Sequence, residues 1–222
     1  MVAFTLSQVE PLFASPSFRF ALPGAEELNA RLLPAIQARR ASQPGLARSN
    51  QHGWHSDYHL FHWEEPVFRE LCQAFAQAVM AATKHVAPNY EFRGRSLQAE
   101  GWVNINGQHA YNTPHDHAGW AWSGSYYVQV PEAQGRSGLF EFLDCRTNAN
   151  VVGIEGAACF TAKVPVTPRA GLLMLFPAYL QHWVYPNEQP AERISIAFNA
   201  RFAPVTLPQT TAQPENSPQA VS

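Results

Sequence analysis

Apolar positions along this chain change their period near Tyr90. Before it, two stretches repeat at helical spacing. From Gly24 to about Arg40, Leu28, Leu32, Leu33 and Ile36 fall on one stripe, with Glu early and Arg late as the helix dipole favours. Pro34 lies inside this pattern and is expected to kink or split the helix. A second helix is expected from Pro66 to about Lys84. Phe68, Leu71, Phe75 and Val79 recur on one face, and Pro66 suits the first helical position. Between the two, residues 41–57 are rich in turn formers and polar groups. They read as a long loop, which with Trp54 and His55 is a candidate lid. Residues 1–20 carry Phe and Pro without a clear period.

After Pro88 the texture becomes short β-rich runs punctuated by Gly, Pro, Asn and Asp: SLQAEGWVNIN, GWAWSGSYYVQVP, GLFEFLD, ACFTAKVPV, GLLMLFP and ERISIAFNARF. Several short strands after a helical half predict a mostly β protein with some α, an antiparallel sandwich or barrel with helices packed on one outer sheet face. Residues 1–203 read as a single domain, with a helical part over 1–90 and a β core over 91–203. Residues 204–222, rich in Pro, Gln, Ser and Thr with almost no large apolar groups, read as a disordered tail.

The 222 residues suit one domain with a sizeable core. With 46% hydrophobic and 14% charged residues, the chain belongs with folded proteins, because disordered chains are poorer in apolar groups. The formal charge of −2 and scattered basic residues argue against a nucleic-acid binder. No apolar run approaches the roughly 20 residues that span a bilayer, and the N-terminus shows no basic region followed by an apolar core. Cys72, Cys145 and Cys159 are odd in number and lack Cys-x-x-Cys spacing, so a disulfide framework and a zinc knuckle are both disfavoured. Unpaired thiols and the absence of a leader point to the cytoplasm.

Among nine histidines, spacing sorts candidates from bystanders. His115 and His117 are two apart, in Asn112-Thr113-Pro114-His115-Asp116-His117. In an extended segment such side chains share a face, while Asp116 points away. His182 follows the continuous apolar run from Leu172 to Pro177, of the kind a buried strand shows. Three imidazoles from two strands can form one face of a metal site and leave the opposite positions open. Imidazole suits iron, zinc, copper and nickel alike, so the ligands alone do not name the metal. His52, His55, His59 and His62 read as loop or helix-entry residues. Beyond His182, alternation puts Arg193, Ser195, Ala197 and Asn199 on one face of a strand and Ile194, Ile196 and Phe198 on the other. A guanidinium projecting into a β core needs an anion. A carboxylate can take it bidentately, with Ser195 adding a bond.

This order resembles that of the 2-oxoglutarate/iron(II) dioxygenase superfamily: His-x-Asp, then a distal His, then Arg, often as Arg-x-Ser. From Trp102 to Phe202 it is similar to a group of bacterial and phage oxygenases, through Trp102 to Asn106, Pro114 to His117, Ser123 to Val128, Gly138 to Asp144, Gly171 to Pro177, His182, Pro186-Asn187 and Glu192 to Asn199. The resemblance implies a double-stranded β-helix (jelly-roll, cupin-like) core. It implies iron(II) on His115, His117 and His182, with 2-oxoglutarate and O2 as co-substrates and Arg193 with Ser195 on the distal carboxylate of 2-oxoglutarate. The implied reaction couples oxidative decarboxylation of 2-oxoglutarate to oxidation of a substrate C–H bond. One departure stands out, since His117 occupies the position usually held by Asp.

Alternation also aims Trp102, Asn104 and Asn106 into a pocket if Val103 and Ile105 pack on the helices. Tyr127 is a candidate to share that pocket and bond the co-substrate, and Trp120, Trp122 and Trp183 lie beside the histidine strings. Candidate aromatics without a basic patch favour a small-molecule or amino-acid-type substrate, and a homo-oligomer is compatible with the sequence. Two other readings fit the histidines. One is a cupin-type three-histidine dioxygenase that uses no 2-oxoglutarate, which would leave Arg193 and Ser195 unexplained. The other is a non-catalytic metal-binding β-sandwich.

Overall fold

The computed structural model describes residues 5–8, 10, 12–146 and 152–205. The segment 206–222, most of the expected tail, lies outside them. Two antiparallel sheets face each other. The larger contains β1 (Phe18–Ala21), β3 (Trp54–His55), β4 (Arg95–Asn106), β6 (Trp122–Gln129), β9 (Leu172–Pro177) and β11 (Arg193–Pro204), in the order β1-β9-β6-β11-β4-β3. The smaller contains β2 (Asn50–Gln51), β5 (Tyr111–His115), β7 (Phe140–Leu143), β8 (Lys163–Val166) and β10 (His182–Val184), in the order β2-β5-β10-β7-β8. From β4 to β11 the chain passes back and forth between the sheets, with only β7 and β8 consecutive in one of them, which is the winding of a jelly roll, or double-stranded β-helix.

The outer face of the larger sheet is covered by α1 (Ala25–Ser42) and α2 (Pro66–Val86). Leu32 and Ile36 of α1 and Phe68, Leu71, Phe75 and Val79 of α2 meet Val103, Ile105, Ile194, Ile196 and Phe198 in one core. Phe75 stacks on Phe198 with ring centroids 4.3 Å apart. The inner faces of the two sheets form a second, smaller core around Tyr127, Phe140, Phe142, Met174, Phe176 and Val184. Period-2 alternation in β11 thus serves two environments: its Ile and Phe positions feed the helix side and its polar positions the space between the sheets.

The helix α1 runs through Pro34 unsplit. Pro34 and Ala30, whose carbonyl loses its partner, are both on the exposed side, so water can satisfy that carbonyl. The expected loop over 41–57 contains the short edge strands β2 and β3, which pair with β5 and β4. It closes one edge of the sandwich and is not a free lid. The aperiodic N-terminal segment supplies β1, which pairs with β9. Among the described residues no helix is long and apolar enough to cross a membrane.

Candidate active site

His115 is the last residue of β5, and His182 is the first of β10 and its direct cross-strand partner. His117 lies in the bend that follows, fixed by its N–H to the Ala178 carbonyl. One ring nitrogen from each of the three lies within 4.8 Å of the others, a spacing able to hold one ion. Two of the tautomers are set by backbone. His115 Nδ1 donates to the Thr113 carbonyl at 2.7 Å and His182 Nδ1 to the Leu180 carbonyl at 2.9 Å, which leaves each Nε2 as a lone-pair donor. His117 Nδ1 lies 3.2 Å from Asn199 Nδ2. Asp116 is exposed and outside the cluster, as the alternation of an extended chain requires.

Burial keeps the three rings neutral. Desolvation pushes His117 down to about 3, with His115 beside it adding to the effect. Desolvation, then His115, holds His182 well below the ordinary imidazole range. The same cause lowers His115, opposed by its bond to Thr113 and by Asp116. Neutral imidazoles are the form that binds a metal, and three of them leave a divalent ion with its full charge.

The opposite wall is the inner face of the larger sheet. Asn104, Ser195 and Tyr127 are successive neighbours across β4, β11 and β6. Arg193, two residues from Ser195 on β11, is 2% exposed. Its Nε donates to the Gly138 carbonyl and one terminal nitrogen to Ser195 Oγ, and the guanidinium stands 5.0 Å from the centre of the Tyr127 ring. No carboxylate pairs with it among the described residues. Burial lowers its pKa, partly offset by Tyr127, so a buried anion here would relieve a real cost. The Tyr127 hydroxyl and Asn104 Oδ1 are buried without partners among the described residues.

One cavity joins both walls. It is lined by His115, His117 and His182 and by Arg193, Ser195 and Asn104, with Phe140 and Phe176 packed on His182 and Val184 also in the lining; Tyr127 is not among the lining residues. A buried cation lacking a counter-ion, orphaned polar atoms and three neutral imidazoles fit a divalent metal together with an elongated dicarboxylate.

Sequence reasoning missed some lining residues. Ser123, Gly124 and Ser125 of β6 keep the floor small, and a Cβ on Gly124 would fall 2.4 Å from the Phe198 ring on the other side. The small-residue run was the available signal. Ser49 and Asn112 also line the cavity. His55 belongs to β3, not to a loop, and backs a lining residue: it is 2% exposed and stacks on Trp102 at 5.5 Å, and Trp102 in turn lies 5.7 Å from His117. Only a pairing of β3 with β4 reveals this. Asn106 turns from the cavity to bond Asn112. Trp122 faces the helices and donates to Thr83, Trp183 donates to Glu141 on the outer side of the smaller sheet, and Trp120 lies under Arg201.

Residues 100–199, which contain all of these ligand and anchor candidates, match a family model described as "Putative 2OG-Fe(II) oxygenase". The match covers 100 of the 222 residues, and over that segment the chain is similar to 2OG-Fe(II) oxygenases. No curated protein matches the chain. Solved structures of similar fold include a Pseudomonas putida prolyl-4-hydroxylase (TM-score 0.60, 18% identity, covering 86% of this chain and 94% of that one). Another is the α-ketoglutarate-dependent epimerase SnoN from nogalamycin biosynthesis (0.57, 16%, 92% and 90%). A third is HygX from Streptomyces hygroscopicus, solved with nickel, 2-oxoglutarate and hygromycin B (0.53, 13%, 86% and 84%). At these identities they establish the shared double-stranded β-helix. The matched segment spans most of the β core, and both helices precede it in the chain.

Proposed function

We propose that this chain is a 2OG-Fe(II) oxygenase that binds iron(II) through His115, His117 and His182 and oxidises a C–H bond of a small molecule or an amino-acid side chain, in a reducing, cytoplasmic setting. The observation that carries the reading is the buried Arg193, without a carboxylate partner, in the same cavity as three neutral imidazoles. When bound, iron(II) and 2-oxoglutarate supply the electrons that reduce O2, with one oxygen atom going to succinate and the other to product, and CO2 released. The chain's own residues do the rest. Arg193 and Ser195 hold the distal carboxylate, Asn104 presents a polar atom to the cavity, and Tyr127 backs the Arg193 guanidinium. Phe140, Phe176 and Val184 give the co-substrate's methylenes a dry channel and exclude water from the metal end.

The substrate class draws support from the neighbours' names, which include prolyl hydroxylases and enzymes solved with small natural products. The three described cysteines are free, as a reducing compartment would leave them. A three-histidine dioxygenase without 2-oxoglutarate would leave Arg193 buried for no purpose. Anaerobic loading with iron(II), with and without 2-oxoglutarate, tests the proposal. A weak visible charge-transfer band is expected only with both, followed by succinate on admitting O2. A band and turnover independent of 2-oxoglutarate would overturn it.

A further inference from the structure

His117 differs from the other two histidines in what holds it. His115 and His182 each donate Nδ1–H to a backbone carbonyl. Among the described residues His117 has no carbonyl partner for its ring. Its Nδ1 meets the side chain of Asn199, which sits on β11 between Glu100 of β4 and Ser123 of β6. Asn199 is 1% exposed. Its Nδ2 donates to Glu100 Oε1 at 2.9 Å and lies 3.2 Å from His117 Nδ1, while its Oδ1 is buried with no partner among the described residues.

That arrangement suits a metal-free imidazole and opposes a metal-bound one. An amide nitrogen can only donate, so it needs a lone pair on Nδ1 and places the imidazole proton on Nε2. Nε2 is the atom left to meet an ion, and it cannot ligate while protonated. A metal on Nε2 moves the proton to Nδ1, which then needs an acceptor. Turning the Asn199 amide over supplies one, the Oδ1 that is otherwise orphaned. The same turn sets Oδ1 against Glu100 Oε1, so the half-exposed Glu100 must give up its bond and move towards solvent.

We propose that Asn199 is the positioning residue of His117, with an amide that inverts on metal loading, and that Glu100 holds the metal-free orientation. This rests on the three-histidine reading of the site. It also says what replaces the carboxylate usual at position 117: an imidazole whose proton is placed by an amide, with the acid one residue further out.

The test is the affinity of the full chain for cobalt(II), by anaerobic competition with a chromophoric chelator. Asn199→Leu removes the hydrogen-bond acceptor and should weaken binding about 10- to 100-fold, the usual effect of losing such a partner. Asn199→Asp, an acceptor in either orientation, should stay near wild type. Glu100→Gln should bind at least as tightly as wild type, because its amide can donate to the inverted Oδ1. In the zinc-loaded wild type, proton NMR should show a slowly exchanging Nδ1–H on His117, as for His115 and His182, and the Asn199→Leu spectrum should lack it. Wild-type affinity in Asn199→Leu would overturn the proposal. So would Asn199→Asp as weak as Asn199→Leu, Glu100→Gln as weak as Asn199→Leu, or a His117 ring carrying its proton on Nε2 when loaded. Wild-type protein that takes up no stoichiometric metal would overturn the site reading itself, and this proposal with it.

Discussion

His182 faces His115 directly across the β10–β5 ladder, with their ring centroids 4.4 Å apart. Strand pairing brings together two residues far apart in the chain. The bend after β5 then adds His117, 5.0 Å from His115 and 5.3 Å from His182 between ring centres.

That geometry separates His117 from Asp116. His117→Ala should abolish stoichiometric iron(II) binding, while Asp116→Asn should keep most of it, because Asp116 points into solvent. His117→Asp should retain some iron, as a carboxylate is what related sites place there. Metal analysis of the anaerobically loaded variants decides the matter. Loss of metal in Asp116→Asn with retention in His117→Ala would restore a carboxylate ligand and remove the three-histidine site.

Arg193→Ala should weaken 2-oxoglutarate binding by about 2–4 kcal/mol, the usual range for removing one partner of a buried charge pair, with little change in iron affinity. Gly138→Ala should act in the same direction more weakly. A Cβ there would stand 3.1 Å from Arg193 Cδ, on a backbone with φ of +62° that favours glycine. Calorimetric titration of 2-oxoglutarate into zinc-loaded protein measures both. Unchanged affinity in Arg193→Ala would end its assignment as the anchor.

Acid should destabilise the metal-free protein before carboxylates titrate. The folded-state values of His115, His117 and His182 are all lowered from 6.5, that of His117 to about 3. Above pH 6.5 these rings are neutral in both states and contribute no pH dependence. Below it the unfolded chain takes up protons that the folded chain refuses, so stability falls as pH drops from 6.5 towards the folded values. Each such group contributes up to about 1.4 kcal/mol per pH unit. Chelator-treated protein melted between pH 7.5 and 5 should lose Tm steadily below pH 6.5, and His182→Gln should flatten the slope. A flat profile in wild type would show the rings are less buried than described.

The helical layer should be required for the sheet. Phe75→Ala removes a ring stacked on Phe198 in the main core and should cost about 3–5 kcal/mol. Met80→Ala, on the exposed side of α2, should cost little. Deleting residues 1–60 strips α1 and three edge strands and should give insoluble protein. Denaturant titration and solubility read these out. A soluble, active fragment lacking those residues would show that the β core stands without them.

The sequence by itself determined both helices, six of the strands and the sidedness of β11, because burial on one face leaves a period that residue order records directly. It also marked His115, His117, His182 and Arg193, since a pair of histidines two apart and a charged residue inside an apolar alternation are local irregularities. Tertiary structure decided the rest. The short strands β2, β3 and β10 carry too few residues to show a period and exist because a longer neighbour offers its edge. His55 looks like any loop histidine until β3 pairs beside Trp102. Nothing in the sequence links Asn199 to His117 either. Their meeting depends on register between β11 and β4 and on a bend after β5, and register is set by the packing of two whole sheets.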